Sequence, residues 1–401
     1  MTRITFSTAG ESHGPALVAI IEGMPAGVAV LAADVNRELA RRQQGYGRGR
    51  RMQIEQDAIE FLGGVRAGET LGSPIAMLIR NKDWKNWAEI MDPAPREGDA
   101  TEGRKRQLTR VRPGHADLSG IFKYDRADAR DILERASARE TTARVAAGAV
   151  ARRLLAEFGI TIGSHVVHLG GIDAVAPETL PDDLNAAADP SPLRTLDKAA
   201  EARMIERIDQ LKKDGNTAGG ICEVVVRGLP VGLGSHVSWD RKLDGRLARA
   251  IVSIPAVKAM EIGAGFDAAR KSGAEVHDEI EPAPGAEHVR AGHVRRRTNR
   301  AGGLEGGITT GEPLVMRVAM KPISTLMSPL ATIDAKTGEA AAAAAERSDV
   351  TAVPAMGVIA EAMTALVLAD AFSEKFGGDS LDEMRRNFDG YISHISTRFG
   401  G

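Results

Sequence analysis

The chain is poor in the features that would make its fold or its business obvious. It has one cysteine, Cys222, so no disulfide can form within it, which fits a cytoplasmic home. Aromatic residues are only 4% of the total, which excludes a core built on large rings; glycine (44) and small aliphatics are abundant, so packing must run through Ala and Val. Neither sign of charge dominates: the net charge is -2 over 401 residues, against the basic excess of a general nucleic-acid binder. No apolar run reaches the ~18 residues of a membrane span. Thr351–Ala371 comes nearest and is interrupted by Pro354, Glu361 and Asp370. The N-terminus, Met-Thr-Arg-Ile-Thr-Phe, lacks a signal-peptide core. These readings predict no membrane and no nucleic-acid partner.

Several catalytic signatures are missing too. No lysine follows a glycine, so there is no phosphate loop of the Gly-x4-Gly-Lys type. Gly45, Gly47 and Gly49 do not have dinucleotide-fingerprint spacing. One cysteine, with His165 and His168 lacking partners in sequence, gives no zinc set. No Gly-x-Ser-x-Gly elbow occurs. ATP hydrolysis, Rossmann-type dehydrogenation, zinc chemistry and serine hydrolysis are therefore disfavoured.

What is present is a local concentration of cation on a neutral chain. Leu39-Ala-Arg-Arg-Gln-Gln-Gly-Tyr-Gly-Arg-Gly-Arg-Arg-Met52 carries Arg41, Arg42, Arg48, Arg50 and Arg51 and no acid. It reads either as a site for a polyanion, since guanidinium matches carboxylate and phosphate, or as a solvated Arg-rich loop. A strand over Val18-Ala-Ile-Ile, the turn Gly23-x-Pro25-x-Gly27 and a helix capped by Asp34 lead into it. A similar passage returns later: Val224-Val-Val, Gly228-x-Pro230-x-Gly232, then a helix opened by Asp240 through Leu243, Leu247 and Ile251. This is either an internal duplication, with pseudo-repeats beginning near 15 and 220, or chance reuse of a turn.

Other stretches carry polar groups at turns. Gly10-Glu-Ser-His-Gly14 follows the first strand. Residues 81–107 read as an irregular excursion that closes on Arg112-Pro-Gly-His115, a cation and a titratable base around a rigid turn. Ser137-Ala-Arg-Glu140 has the form of a capping box for a small-residue helix ending at Gly159; Arg135 and Arg139 beside its start make either an anion site or an ordinary capped helix. Further on come an amphipathic helix over Ala200–Lys213, a strand over Val257–Ile262, a small-residue linker or helix end at Ala340–Ala345, and a polar helical tail after Phe376.

In order along the chain, Gly10-Glu-Ser-His-Gly14, Gly23-Met-Pro25, the Arg loop, Arg112-Pro-Gly-His115, Arg135-Ala-Ser-Ala-Arg-Glu-Thr141, Gly302-Gly-Leu-Glu-Gly-Gly307, Lys321-Pro-Ile-Ser-Thr325 and Arg347-Ser-Asp349 together resemble chorismate synthase. Each motif is weak singly, and the set spans most of the sequence. The resemblance implies an α+β fold, a three-layer β-α-β sandwich with internal pseudo-two-fold duplication, forming one domain over 1–401. It implies a lyase that eliminates phosphate from 5-enolpyruvylshikimate 3-phosphate to give chorismate, needing reduced FMN without net redox, and a homotetramer. By matching positions, His13 is expected to protonate the leaving phosphate, His115 to protonate reduced flavin, and Asp349 to assist removal of the C–H proton. Arg42, Arg48, Arg51, Arg112, Arg139 and Arg347 are expected to hold substrate anions. Arg135, Ala136, Ser137, Pro255, Ala256, Gly306, Lys321, Pro322, Ile323, Ser324, Thr325 and Arg347 are expected around FMN. Pro255 departs from relatives that often have a polar residue there, leaving only backbone contact. Arg42 and Arg48 also match where NADPH, a source of reducing equivalents, contacts some members. No added reductase domain is visible, so the resemblance implies an external flavin reductase or reductant.

Overall fold

Alternating burial builds the first sheet. The computed structural model describes residues 3–49, 56–95, 107–344 and 349–399. Its opening strands are Thr5–Ala9 (β1), Ala16–Glu22 (β2) and Ile59–Gly63 (β3), then a short ribbon of Val65–Arg66 (β4) and Glu69–Thr70 (β5), and Ile75–Arg80 (β6). In β2, Leu17, Ala19 and Ile21 face the core while Val18 and Ile20 are half-buried, the period of two expected of a sheet covered on one side. β1, β2, β6 and β3 lie side by side in that order, all antiparallel, with Phe6 opposite Ile21 and Ile20 opposite Ala76.

The second sheet draws on Thr161–Leu169 (β7), Ile172–Asp173 (β8), Gly220–Arg227 (β9) and Val257–Ile262 (β10). A side hairpin of Ile280–Pro282 (β11) and Val294–Arg296 (β12) follows, then a two-residue ribbon, Leu304–Glu305 (β13) with Ile308–Thr309 (β14), and Leu314–Met320 (β15). The order β7-β9-β15-β10 repeats that of the first sheet, with β8 added at one edge. The turns match atom for atom. In the first, Thr70 donates its hydroxyl to the Pro25 carbonyl (2.6 Å) and accepts from the Val28 N–H (2.9 Å), while its carbonyl accepts from Gly27 (2.9 Å). In the second, Thr309 does the same for Pro230 (2.7 Å), Leu233 (2.8 Å) and Gly232 (2.9 Å).

Between the sheets lie the helices Ala32–Gln43, Thr141–Ala156, Leu243–Val252 and Val353–Phe376. Thr141–Ala156 packs on β1 and β2, Val353–Phe376 on β7 and β9, and the two pack on each other. Val353–Phe376 is apolar nearly all round and almost wholly buried, as a helix with neighbours on every side must be. Small residues permit the contact: a Cβ added at Gly148 would stand 2.5 Å from the Ala362 Cβ and 2.6 Å from its carbonyl oxygen. Cys222 is buried here and donates to the Val353 carbonyl (3.3 Å); burial pushes its thiol up to about 12.

Two polar or aromatic clusters tie the layers together. Glu361, on the central helix, accepts from Arg41 (2.9 and 3.1 Å), Arg152 (2.9 Å), Arg194 (3.0 Å) and the Ser164 hydroxyl (2.6 Å). Glu38 and Asp189 complete the neutralisation of these arginines. At one end the rings of Phe158, Phe372, Phe376 and Phe388 meet tilted or edge-on, with centroids 4.4–5.5 Å apart, docking the tail helix Leu381–Phe399.

Four local expectations are corrected. Asp34 is not the cap of its helix; it sits one turn in, and its carboxylate reaches back to the Leu31 N–H (3.0 Å). Asp240 falls in a separate 3-10 turn and pairs with the Ser238 hydroxyl, and the helix begins at Leu243. Ser137 caps only the 3-10 turn Ala138–Glu140, accepting from Arg139 N–H at 3.3 Å; Glu140 does not reach back, because Arg144 (2.9 Å) holds it. Ala340–Ala342 is a strand (β17) paired with Ala331–Ile333 (β16), since a neighbouring ladder can override the helix preference of alanine.

Candidate active site

Two histidines stand at turns that the fold fixes firmly. Gly10, at φ +101°, turns the chain out of β1 where a side chain would run into the Ala16 carbonyl. The loop then meets the helix Arg130–Ala136: Ser12 N–H donates to the Glu134 carbonyl (2.9 Å), and His13 N–H to the Glu134 carboxylate (2.9 Å). The same carboxylate receives His13 Nδ1 at 2.9 and 3.0 Å and Arg130 at 2.9 Å. Burial by itself would raise the Glu134 carboxyl, but these donors outweigh it and hold it below its ordinary value. An ionised acceptor requires the proton on Nδ1 of His13.

His115 repeats the device. The turn Arg112-Pro-Gly-His115 precedes the helix Asp117–Tyr124, and Asp117, wholly buried, takes His115 Nδ1 at 2.5 Å and Arg112 at 2.8 and 3.1 Å. Burial opposes ionisation there, yet the imidazole and guanidinium hold the carboxyl well below the usual range. Arg112 also reaches the Thr325 hydroxyl (3.1 Å), and Lys321 bonds the Gly114 carbonyl. Pro322, Ile323 and Ser324 ride on this strap, with Thr217 donating to the Ile323 carbonyl (2.8 Å). The Ala256 carbonyl, at φ +67° after Pro255, accepts from Lys321 N–H (3.0 Å), which brings that pair to the same place.

The third group is the arginine cluster. Arg42 donates to the Thr141 hydroxyl (3.0 Å) and the Ala138 carbonyl (2.8 Å). Its Nη1 is buried with no hydrogen-bond partner among the described residues; the Asp57 carboxylate is 3.9 Å away. Burial, and then repulsion from Arg48 and Arg139, lowers Arg42 to about 10. Arg139 pairs with both oxygens of Asp57 (2.6 and 2.7 Å), and Arg48 with Asp349 (3.1 Å), which also accepts from Gly49 N–H (2.6 Å). A buried, donor-rich cluster of this kind favours an anion carrying several charges.

The groups adjoin. Ser137 donates to the Ser12 hydroxyl (3.2 Å), and Arg135 to the carbonyls of Gly10 (3.1 Å) and Thr8 (2.9 Å), so Arg135, Ala136, Ser137 and Arg139 run from His13 into the arginine cluster. Val350 N–H bonds Gly47, and Ala218 N–H bonds Val350, leading from the Arg loop towards the 321–325 strap. Gly306 stands apart on the β13–β14 turn, with open space where a Cβ would be. Arg51 and Arg347 lie outside the described residues, as does Arg50.

Sequence reasoning missed Glu134, Asp117 and Asp57, which hold the site's histidines and arginines. Asp117 had a signal, standing two residues after His115. Glu134 is 121 residues from its histidine and Asp57 is 82 from Arg139, and no local pattern joins either pair.

Residues 4–373 match the family model described as chorismate synthase. The chain is 57% identical to the chorismate synthase of Symbiobacterium thermophilum over 396 residues, covering 98% of this chain and 100% of that one. It is 55% identical to that of Geobacter metallireducens, with the same coverage. A solved crystal structure of a chorismate synthase superposes with a TM-score of 0.76 at 42% identity, over 99% of this chain and 100% of that chain.

Proposed function

The chain belongs to the chorismate synthase family, a lyase of aromatic amino-acid biosynthesis, and from that premise we propose how its residues serve the reaction. The substrate is 5-enolpyruvylshikimate 3-phosphate, and the step is a 1,4-elimination: the C3–O bond to phosphate breaks, a ring C–H proton leaves, and the diene of chorismate forms. The observation that carries this reading is the pair of histidines, each bonded through Nδ1 to a buried carboxylate, beside a buried arginine cluster. Mere storage of an anion needs the arginines but not two oriented imidazoles.

Arg42, Arg48, Arg112 and Arg139, with Arg51 and Arg347, bind the two carboxylates and the phosphate. The buried Arg42 Nη1 supports this, because an N–H held out of water lacks only an acceptor. Asp57 and Asp349 balance the cluster before substrate arrives. His13 delivers a proton from Nε2 to the departing phosphate, and Glu134 steadies the imidazolium before that transfer. His115, oriented by Asp117, holds a proton at Nε2 for the flavin side of the site. Asp349 helps take the ring proton, which is too weakly acidic for a carboxylate alone.

What bound reduced FMN supplies is an electron lent to the substrate and then recovered, with no net redox change. The residues fit that group: Arg135, Ala136, Ser137, Lys321 through Thr325 and the Pro255–Ala256 backbone offer donors and acceptors on adjoining segments, with Gly306 on the separate turn. Arg42 and Arg48 double as the NADPH contact. The enzyme acts in the cytoplasm as a homotetramer and takes reduced flavin from an external reductase or reductant.

The test is an oxygen-free assay with the phosphorylated enolpyruvyl substrate and dithionite-reduced FMN, following phosphate and chorismate absorbance together. Equal amounts of both products, dependent on reduced FMN, are expected. NADPH with oxidised FMN in air should give no rapid turnover. Absence of product from folded protein overturns the reading.

A further inference from the structure

The segment 81–95 looks irregular in sequence, yet its contacts converge on His13. Asn81 is buried and donates its amide to the carbonyls of Ser12 (2.9 Å) and Gly14 (3.0 Å), while its own N–H bonds Pro15 (3.0 Å). It therefore closes the loop that carries His13. Two residues on, Asp83 accepts from Trp87 Nε1 at 2.9 Å. The 3-10 turn Trp84–Asn86 brings Trp87 back, with its N–H on the Trp84 carbonyl (2.8 Å). The indole then lies against the His13 imidazole, ring centroids 3.8 Å apart and planes 24° from parallel. The Arg130 guanidinium stands 5.1 Å from the Trp87 ring centroid and bonds Glu134, the acceptor of His13 Nδ1.

We propose that Trp87 is a positioning residue for His13, the plate that sets the plane of its imidazole. The argument is geometric. A carboxylate on Nδ1 fixes the tautomer and one edge, but the ring can still swing about that hydrogen bond. A stacked aromatic surface removes the swing. Arg130 ties plate and carboxylate together, so Nε2 is held in one direction only. Proton transfer is sensitive to such placement: a displacement near 1 Å costs on the order of 10²-fold in rate. The inference rests on reading His13 as the proton donor to the leaving phosphate.

Trp87→Ala, Trp87→Phe and His13→Ala are compared in the reduced-FMN assay, with melting temperatures recorded alongside. Trp87→Ala should lower kcat roughly 30- to 100-fold, with KM for the substrate within about twofold and melting close to the parent. Trp87→Phe, which keeps an aromatic plane, should restore kcat to within about fivefold of the parent. In a protein whose only tryptophan is Trp87 (Trp84→Phe with Trp239→Phe), indole emission should brighten when His13 becomes Ala, because the quenching imidazole is gone; this reading needs no truncation at 87. Parent-like kcat in Trp87→Ala while His13→Ala is crippled overturns the inference and spares the His13 assignment. A loss expressed only in KM, no recovery with Phe, or unchanged emission overturns it equally. Normal turnover by His13→Ala removes the assignment itself, and the role of Trp87 with it.

Discussion

Each imidazole at the candidate site bonds a buried carboxylate through Nδ1. Asp117 opens the helix that directly follows the His115 turn, so one stretch of backbone presents both, whereas Glu134 comes from the distant helix Arg130–Ala136 that docks on the His13 loop. His13→Ala and His115→Ala should each lower turnover by ~10²-fold or more while FMN binding, followed by flavin fluorescence, stays largely intact. Near-parent turnover in both would remove them from the mechanism. The turns that carry the histidines were legible from their glycines, whereas the roles expected of the histidines came from the family resemblance. Their partners were legible only where they lay close: Asp117 is within two residues, whereas Glu134 becomes a neighbour through a helix docking on a loop 121 residues earlier. Arg139 was legible as a cation beside a helix start, but not as the counter-ion of Asp57, for the same reason.

At the scale of elements, strands and helices followed from periodicity, and β10 spans the very residues, Val257–Ile262, that its pattern predicts. Caps were read less well. Asp34 and Asp240 both have the residue type of a cap, but side-chain bonds to Leu31 and Ser238 used them otherwise. Ala340–Ala342 has helix-forming residues and a strand partner, and the partner prevails. Helix packing gives a paired prediction. Gly148→Ala inserts a methyl against the backbone of Ala362, which cannot swing aside, and should destabilise by about 1–3 kcal/mol in spite of alanine's better helix propensity. Gly390→Ala, in the tail helix with open space around it, should instead stabilise by about 0.5–1 kcal/mol. Urea midpoints of the two variants check both signs.

For the whole molecule, the shared strand order and the matched Thr70 and Thr309 turns support reading the chain as two copies of one unit, a reading its two Gly-x-Pro-x-Gly turns suggested. The helical layer where the halves meet is bolted by Glu361. Burial would raise this carboxyl, but Arg41, Arg152 and Arg194 hold it far below the ordinary glutamate value of 4.5. A depressed folded-state value contributes stability that is fully present above the unfolded value and is lost as pH falls below it. Unfolding free energy should therefore be level from neutrality to about pH 4.5, the ordinary glutamate value, and decline in more acid solution. Glu361→Gln should lower the plateau by about 3–5 kcal/mol and flatten the acid decline. Denaturant titrations at several pH values read both effects, and an unaltered acid slope would sink the account.

The lone thiol of Cys222, on β9, faces that helical layer, buried and held protonated by its surroundings. Thiolate is the species that maleimides and iodoacetamides attack, so the natural chain offers such reagents nothing to modify while it is folded. Any cysteine introduced on the surface becomes the single address for a spin label or dye, with no background to engineer away. A probe beside Trp87 could then follow the brace over His13 during turnover.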